Sequence, residues 1–547
     1  MVQIAPTAPR APRYKERSRI SNNLVDLRNA TMSSEKNYKP TVVSKVGVIR
    51  GVKANDGSYD MFMGIPFGRV LEDNPFGIAA PYPKFDHIFD ANDDSAASPQ
   101  QEEYTHTIIG SLDCLHLNIY VPHSKTPLAV IIWIFGGRYA IGFPGRFIYG
   151  PKYFMANQVI LVTMNYRQGP YGFLCTNTPK IPGNQGLKDI LLGLRWVKDN
   201  ISEFGGDVNN ITVFGESSGA MAIDLFLTLD ETLFHKAILM SGTALRPLVV
   251  KKYDHTIQIR LAERLGFKTK DPNEAVAFLA KIHPHLVIKA SEELRIIYRP
   301  CIEKNFEEVE QLIPNYPIRM PLKNLKGIPI MAGFCDAETM YRHYLKTPDE
   351  FGSDIIKIYL DTIFDLDNHR WAKDIVRQFY LGDEEFSREM LWEIIDFDSD
   401  ISFIHPMQRR IKQFIENGAK VYQYLFKYCG DRNFVKKRAR ITEGGACHAD
   451  EIAYLFDISY EETPSKTDQL VIDRMTAMWA NFAKYGDPTP VVSPLLPLKW
   501  SPLTADHAHC MVIDSELTTI SRPFHDRMAF WDLFYKVFGH KLRDLEK

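Results

Sequence analysis

The chain has 547 residues, of which 45% are hydrophobic, 12% are aromatic and 24% are charged. These fractions are those of an ordinary globular protein with a large core, and they exclude a disordered, fibrous or collagen-like chain. The 65 basic and 67 acidic side chains leave a net charge of −2, so no overall field attracts nucleic acid or an anionic membrane. The composition therefore favours a neutral or apolar small molecule as the partner.

The N-terminal segment, residues 1 to about 38, is rich in Pro, Arg and Ser, and we expect it to form a mobile tail. Its basic start has no apolar core, which does not match a secretory signal and leaves a mitochondrial presequence as the alternative. No stretch reaches the roughly 18 consecutive apolar residues of a membrane-spanning helix. The seven cysteines are odd in number and never spaced C-x-x-C, which favours reduced thiols in a cytoplasmic protein over disulfides or a zinc site.

Residues 39–547 alternate β-rich runs with helical patterns, and we expect them to form one domain. Apolar residues recur at spacings of three and four in 187–201, for example, which predicts an amphipathic helix. Continuous apolar strands separated by such helices predict an α/β fold with a large, twisted, mostly parallel central sheet flanked by helices. The predicted strands are 43–52, 61–67, 116–122, 128–135, 158–166, 210–215, 235–242, 328–334, 420–428 and 510–515.

Two parts of the chain depart from this alternation. The early strands connect by short turns, which predicts an antiparallel start to the sheet. Residues 250–320 and 340–415 are helical in pattern and interrupt the regular succession of predicted strands. Insertions of this kind commonly build a cap over an active site, so we expect helical cap insertions here.

A serine stands where the strand 210–215 is predicted to turn into a helix, in the run Gly215-Glu216-Ser217-Ser218-Gly219. A nucleophilic serine at such a turn needs small residues two positions before and after it, because the backbone there is strained and crowded. Ser217 meets this requirement. The alternative is a glycine-rich βα turn without catalytic function, since G-x-S-x-G also occurs by chance.

A serine hydroxyl is too weakly acidic to act alone, so a base must accept its proton and an acid must orient that base. In this architecture the chain order is serine, then Asp or Glu, then His. Asp336 and Glu338 follow the strand 328–334, and His448 lies in a later glycine-rich loop. Most of the 16 histidines are expected to be surface or structural residues, but the position of His448 favours a role as the base.

Backbone N–H groups are also required, because a tetrahedral intermediate carries an oxyanion. The residue after the nucleophile, Ser218, is expected to provide one of them. The loop Phe135-Gly136-Gly137-Arg138-Tyr139, which follows the strand 128–135, is expected to provide the others. Its alternative interpretation is a plain turn at the end of a strand.

Many segments in order resemble the type-B carboxylesterase and cholinesterase family of α/β-hydrolases, over nearly all of residues 40–540. The resemblance implies the α/β-hydrolase fold. Within the family, YGPKYFMANQVILVTMNYR and the start of the chain look most like an insect alpha-esterase, an intracellular carboxylesterase. The segments that carry the resemblance are GIPF, DCLHLNIYVP, NYRQGPYGFL, PGNQGLKD, LRWVKDNISEFGGD, ITVFGESSGA, HADEIAYLF, MWANFAKYGDPTP and LKWSPL.

The resemblance implies a role for each candidate of the triad. The nucleophile of the family's G-E-S-x-G motif falls on Ser217. The acid of its G-x-x-x-x-E turn, counted from Gly333, falls on Glu338, and the base of its H-x-x-E segment falls on His448. All three residue types are present.

The oxyanion loop is where this sequence departs from the family, which usually reads H-G-G-G or Y-G-G-G. The family's N–H donors fall on Gly137 and Arg138, together with Ser218, and Gly136 lies in the same loop. Arg138 retains an N–H, but its Cβ is costly if the loop needs a positive φ, and its side chain could crowd the acyl site. Ser218 stands where Ala is usual, and we expect little effect from that change.

Two further differences concern disulfides and choline. The resemblance implies a disulfide from Cys114 to an upstream cysteine, but no cysteine precedes Cys114, so this bond cannot form. Cholinesterases of the family bind choline on an upstream tryptophan, and no tryptophan precedes Trp133. These differences agree with a reducing compartment and argue against cholinesterase activity.

These residues predict a serine carboxylesterase that acts through an acyl-enzyme on Ser217 and needs no metal or cofactor. The resemblance implies lipophilic carboxylic esters, xenobiotic or lipid-derived, as substrates, a role in detoxification, and organophosphates as inhibitors. The alternative is a catalytically weak protein that binds or sequesters esters and organophosphates, because the oxyanion loop is altered at Arg138. An adhesion protein is disfavoured because the triad is intact. The sequence does not indicate an oligomeric state.

Overall fold

The computed structural model describes residues 39–103, 105–351 and 354–543. The predicted N-terminal tail lies outside the described residues, and the single-domain organisation of residues 39–547 stays a prediction. The strands are β1 Thr41–Ser44, β2 Gly47–Arg50, β3 Val52–Lys53, β4 Tyr59–Pro66, β5 Gly68–Arg69, β6 Ala80–Pro81, β7 Phe89–Asp90, β8 Gln100–Gln101, β9 Ile108–Ile109, β10 His116–Pro122, β11 Leu128–Ile134, β12 Ile160–Met164, β13 Gly206–Glu216, β14 Lys236–Met240, β15 Pro329–Cys335, β16 Lys420–Phe426, β17 His509–Ile513 and β18 Thr518–Ser521.

The α-helices alternate with the strands from the middle of the chain onward, as the sequence pattern predicts. A π-helical turn, Asp400–Ile404, separates two of them. The helices are α1 Lys152–Ala156, α2 Gly169–Phe173, α3 Gln185–Asn200, α4 Ser218–Phe226, α5 Thr256–Arg264, α6 Pro272–Leu279, α7 Pro284–Glu293, α8 Met340–His343, α9 Ile355–Ile363, α10 Arg370–Leu381, α11 Leu391–Ser399, α12 His405–Glu416, α13 Phe434–Arg438, α14 Lys466–Tyr485 and α15 His525–Phe538.

One large sheet organises the molecule, with the strand order β18-β17-β16-β15-β14-β13-β11-β12-β10-β4-β3. The strands from β12 to β17 pair in parallel, for example Ile134 with Gly215. At one end β10 pairs antiparallel with both β12 and β4, which confirms the predicted antiparallel start. Every residue of β12 and β14 is buried, as expected for central strands covered on both faces.

One predicted strand needed correction, and β18 and the two-residue strands β5 to β9 were not predicted. The run 43–52 is not one strand, because it is divided among β1, β2 and β3. Gly47 has φ +128°, and a Cβ at Gly51 would lie 2.4 Å from the carbonyl oxygen of Met61, so glycines at both positions let the chain turn and pack closely. Strand β18 was not predicted because all four of its residues are exposed and give no buried apolar pattern.

The predicted cap insertions lie between β14 and β15 and between β15 and β16. Residues 340–416 are largely helical, from α8 to α12, as predicted. The prediction for 250–320 is right only for α5, α6 and α7, because a single short turn, Pro317–Arg319, follows them. Prolines at 300, 314 and 317 lack the N–H that a helix interior needs.

Among the described residues, no helix combines the length and the apolar character needed to cross a membrane. All seven cysteines are described, and they are unpaired thiols, six of them buried.

Candidate active site

Ser217 lies at a sharp turn between β13 and α4, at the carboxyl end of the parallel sheet. Its φ of 54° and ψ of −123° are strained for a residue with a Cβ. The Ser217 N–H donates to the carbonyl of Met240 at 2.9 Å, and the Ser217 carbonyl accepts from Met221 at 3.0 Å. The neighbouring strand and the first turn of α4 therefore hold the strained backbone in place.

The two glycines of the motif are required by close packing. A Cβ at Gly219 would lie 2.0 Å from the carbonyl oxygen of Ile134, and one at Gly215 would lie 2.7 Å from the same oxygen. Atoms cannot approach so closely, so β11 could not pass beside the turn if either residue carried a side chain. The spacing of small residues around Ser217 follows from this contact.

Glu338 and His448 form the tightest polar pair of the site. Glu338 Oε2 lies 2.6 Å from His448 Nδ1, and Glu338 Oε1 accepts from the N–H of Cys335 at 2.9 Å. The N–H of His448 donates in turn to the backbone carbonyl of Glu338 at 3.1 Å. Glu338 is fully buried, so its carboxylate orients the imidazole ring from behind and away from solvent.

Asp336, the other carboxylate after β15, has a different role. Its Oδ1 accepts from the N–H of Ala446 at 2.7 Å, and the N–H of Ala337 donates to the carbonyl of Ala446 at 3.1 Å. A Cβ at Gly445 would lie 2.2 Å from the Asp336 carboxylate. Asp336 thus anchors the glycine-rich loop that carries His448, and the geometry selects Glu338 as the partner of the ring.

The other ring nitrogen of His448 faces a second carboxylate. His448 Nε2 lies 3.0 Å from Glu216 Oε1, and among the described residues the Ser217 hydroxyl has no hydrogen bond to His448. Catalytic hydrogen bonds of this kind are often long in free enzymes and tighten when substrate binds. Glu216 belongs to the predicted motif, but no sequence pattern assigns it a role of its own.

The charges around His448 shift its proton affinity. Burial lowers the pKa of His448, but the Glu216 and Glu338 carboxylates outweigh burial and raise that pKa well above its ordinary value of 6.5. Burial also raises the pKa of Glu216, and this effect outweighs the opposing effect of His448. Deeper in the protein, burial and repulsion from these two carboxylates raise the pKa of Glu451 to about 8, so that carboxyl is largely neutral at pH 7.

The predicted oxyanion loop runs beside Ser217 after β11. Gly137 has φ +117°, and a Cβ there would lie 2.0 Å from the carbonyl oxygen of Ile141. Arg138 has φ +59° and Tyr139 has φ +61°, so two residues with side chains occupy the left-handed region. Arg138 therefore has the positive φ at which a residue with a Cβ is costly.

The loop leaves its N–H groups available. Among the described residues, the N–H groups of Gly137 and Arg138 donate to no protein acceptor. Ser218 opens α4, so its N–H has no partner within the helix. Gln100 anchors the far end of the loop, since its side chain accepts from the N–H of Gly142 at 2.6 Å and donates to the Gly142 carbonyl at 2.8 Å.

These groups open onto one cleft of about 260 Å³. We use "sheet edge" for Ser217, Glu338 and His448, which lie after the carboxyl ends of strands of the central sheet. The term does not refer to the outermost strands. The predicted residues Gly136, Gly137, Arg138, Ser217, Ser218 and His448 all line the cleft, and Glu338 lies behind His448.

The opposite side of the cleft was not identified in the sequence. We use "cap wall" for Arg246, Arg299, Arg342 and Phe403, which come from the segments between β14 and β16 and line the same cleft. The Phe403 ring centroid lies 4.5 Å from that of His448. Phe403 belongs to the π-helical turn, and a single aromatic in a helical pattern is no signal of a site.

The arrangement is suited to nucleophilic chemistry. It combines a strained serine, a histidine oriented by a buried carboxylate, and a loop with unpaired N–H groups. Within the described ranges, no group of three or more His, Cys, Asp or Glu side chains is arranged to hold a metal ion.

Comparison with known proteins agrees with this arrangement. The carboxylesterase family model matches residues 38–531. A bile salt-activated lipase of Rattus norvegicus is 30% identical over 91% of this chain and 86% of the lipase. A juvenile hormone esterase of Heliothis virescens is 30% identical over 81% of this chain and 85% of the esterase. Esterase B1 of Culex pipiens is 27% identical over 90% of this chain and 98% of that protein.

A solved structure extends the likeness to the fold. The crystal structure of juvenile hormone esterase from Manduca sexta, with OTFP covalently attached, is similar with a TM-score of 0.81 and 25% identity. The match covers 91% of this chain and 100% of the Manduca sexta esterase chain. These findings confirm the predicted α/β-hydrolase fold and the family resemblance, and they support an esterase function. The chain belongs to the carboxylesterase family.

Proposed function

We propose that this protein is a serine carboxylesterase that hydrolyses lipophilic carboxylic esters through an acyl-enzyme on Ser217. One observation carries the proposal: His448, held by buried Glu338 at 2.6 Å, lines the same cleft as the strained Ser217. A nucleophile, a base and an orienting acid in this order are the groups that acyl transfer requires.

In the first half-reaction, His448 Nε2 accepts the proton of the Ser217 hydroxyl as its oxygen attacks the ester carbonyl carbon. Glu338 stabilises the imidazolium that forms. The carbonyl oxygen becomes an oxyanion, for which the N–H groups of Gly137, Arg138 and Ser218 are the proposed donors. The intermediate collapses, and the alcohol leaves with the proton from His448.

In the second half-reaction, His448 accepts a proton from water, which attacks the acyl-enzyme. The second tetrahedral intermediate releases the carboxylic acid and returns the proton to Ser217. No step requires a metal or cofactor. The crystal structure of a relative with a covalently attached compound supports covalent chemistry in this fold.

The apolar side chains of the cleft support a lipophilic ester, xenobiotic or lipid-derived, and the reactive serine supports inhibition by organophosphates. The likeness to Esterase B1 supports a place among insect esterases, with detoxification as the proposed role. The seven unpaired thiols support a reducing compartment such as the cytoplasm. The site draws on residues from Gly136 to His448, which supports one hydrolase domain over residues 39–547.

A second candidate is a weak esterase that sequesters its ligand in a stable acyl-enzyme. It is favoured by the left-handed backbone of Arg138, at φ +59°, and by the contact of His448 Nε2 with Glu216. Loss of one oxyanion donor typically slows turnover by about 10² to 10³. A burst of product equal to one enzyme equivalent, followed by slow turnover, would favour this candidate over the first.

The direct test is hydrolysis of para-nitrophenyl butyrate by the wild type and by Ser217→Ala. We expect the substitution to reduce kcat by about 10⁶-fold, because the other groups act through the nucleophile. Circular dichroism and the melting temperature should be unchanged. Ser202→Ala, at an exposed serine outside the cleft, is the control and should match the wild type. Retention of activity in Ser217→Ala would refute the assignment.

A further inference from the structure

Arginine side chains line the cleft although the whole chain carries a net charge of −2. Arg138 projects from the oxyanion loop, and Arg246, Arg299 and Arg342 belong to the cap wall. With Arg438 at the rim, five arginines line the cleft against three glutamates, Glu102, Glu103 and Glu216, so positive charge is in excess there. The local charge at the site, rather than the net charge of the protein, decides which ligand is attracted.

Two arginines at the cleft already have acidic partners. Arg342 Nη1 lies 3.2 Å from Asp398, which is fully buried. Arg438 Nη1 lies 2.7 Å from Glu103 at the rim of the same cleft. Their charges are compensated within the protein, so neither arginine needs a ligand as its counterion.

Arg246 and Arg299 differ from these two. Among the described residues, neither side chain makes an ion pair or a hydrogen bond, and Arg246 Nε is buried without an acceptor. Asp224 fixes the segment before Arg246, since it accepts from the N–H of Ala244 at 2.7 Å, but its other oxygen is bound by Arg410 at 2.7 Å. The buried Asp398 carboxylate raises the pKa of Arg246, but among the described residues it makes its ion pairs with Arg342 and His343 and none with Arg246.

The environment of both cations is unfavourable. Burial, and then the Arg342 and Arg299 cations, lower the pKa of Arg246 to about 10. Burial and the Arg138 and Arg342 cations also lower the pKa of Arg299. Both remain charged at pH 7. Desolvated guanidinium groups without acceptors are costly, and a bound anion removes that cost through charge-assisted hydrogen bonds.

The unpaired charge lies near the reacting groups. The Arg246 guanidinium carbon is 5.2 Å from the Phe403 ring centroid, and the Arg342 carbon is 5.4 Å from it. The same ring lies 4.5 Å from the His448 ring. A cation–π contact of this kind positions a guanidinium group but leaves its N–H donors free. One aromatic side chain therefore separates Arg246 from the proposed base.

We propose that the preferred substrates are esters that carry a carboxylate, which Arg246 and Arg299 bind while the ester group lies at Ser217. This inference rests on the proposed esterase function and defines its substrate class. Apolar side chains such as Ile141, Met221 and Val435 line the rest of the cleft, so the substrate is an amphiphile with an apolar part and one anionic group. Hydrolysis leaves that carboxylate unchanged.

The test compares two pairs of esters with the wild-type protein. In the acyl pair, the para-nitrophenyl monoester of adipic acid is compared with para-nitrophenyl heptanoate, which has a similar length and no charge. In the alcohol pair, para-acetoxybenzoate is compared with its methyl ester. We expect kcat/KM to favour the anionic member by about tenfold or more in one pair, which identifies the half of the substrate that faces the arginines.

Variants then assign the preference to residues. Arg246→Gln and Arg299→Gln should each reduce the ratio of kcat/KM between the anionic and the neutral ester by about tenfold. Arg246→Lys retains the charge and should restore part of the ratio. Arg438→Gln removes the same charge from the rim, where Glu103 compensates it, and should leave the ratio unchanged. The melting temperature reports whether each variant is folded.

Three outcomes would overturn the inference. The first is equal kcat/KM for both members of both pairs. The second is a preference that survives in the Arg246 and Arg299 variants. The third is an equal loss in Arg438→Gln, which would indicate general electrostatic steering. In each case turnover of the neutral esters shows that the esterase proposal still stands, whereas no turnover of any ester would mean that the proposed function itself is wrong.

Discussion

The sheet edge and the cap wall form opposite sides of one cleft, and they differ in whether their charged side chains have partners within the protein. At the sheet edge each charged group has a partner, since Glu338 binds both His448 and a backbone N–H. On the cap wall, Arg246 and Arg299 have no acidic partner among the described residues. We infer that the sheet edge holds the chemistry in a fixed geometry, whereas the cap wall is completed by the ligand.

If the sheet edge is the catalytic side of the cleft, turnover requires its buried carboxylate. Glu338→Gln should reduce kcat by about 10⁴-fold, because the amide no longer stabilises the imidazolium or fixes the ring tautomer. Asp336→Asn is the matched control, because an amide oxygen can still accept from Ala446. It should retain most of the activity. Steady-state kcat for both variants decides the point, and equal losses would show that the carboxylates act only by holding the loop.

The oxyanion loop joins the two sides of the cleft, and its strained residue Arg138 can be replaced. Arg138→Gly should raise kcat by about tenfold or more if strain displaces an oxyanion donor. It should also stabilise the fold by about 1 kcal/mol, because a residue with a Cβ is strained at φ +59°. Steady-state kinetics and thermal melting measure the two effects. A lower kcat, with or without greater stability, would show that the arginine side chain contributes to the site.

The smallest expected effect concerns the carboxylate next to the nucleophile. His448 must be neutral to accept the Ser217 proton, and Glu216 is one of two carboxylates that raise its pKa. Glu216→Gln should lower that pKa, so the rise of kcat/KM with pH should move to lower pH. A pH-rate profile between pH 5 and pH 9 measures the shift. A rise that moves to higher pH would contradict the assignment of His448 as the base.

Much of the fold could be predicted because central strands are continuous and apolar. The strand 128–135, for example, corresponds to β11, and its burial on both faces leaves a clear pattern. The failures occur where that pattern is absent. β18 is exposed, and the run 43–52 contains glycines that turn the chain.

The residues of the site also differ in whether they leave a local sequence pattern. Ser217 and His448 could be proposed from the sequence because strand ends, strained turns and glycine-rich loops leave local patterns. The same patterns left Asp336 and Glu338 as alternatives for the acid, and the family resemblance favoured Glu338. The partners on the cap wall could not be proposed in this way, because a single arginine such as Arg246 or a single aromatic such as Phe403 gains its meaning only from tertiary contacts. Whether an arginine has an acidic partner is likewise decided by residues far away in the chain, as with Arg410 and Asp224.

Covalent labelling identifies the nucleophile directly, because it shows which residue becomes modified. The protein is incubated with a fluorophosphonate, digested, and its peptides are measured by mass spectrometry. We predict one adduct, on Ser217, formed as its hydroxyl oxygen bonds to phosphorus and fluoride leaves. The adduct should be absent in Ser217→Ala and formed more slowly in Glu338→Gln. An adduct on another residue, or ester hydrolysis that continues while Ser217 stays unmodified, would contradict the account.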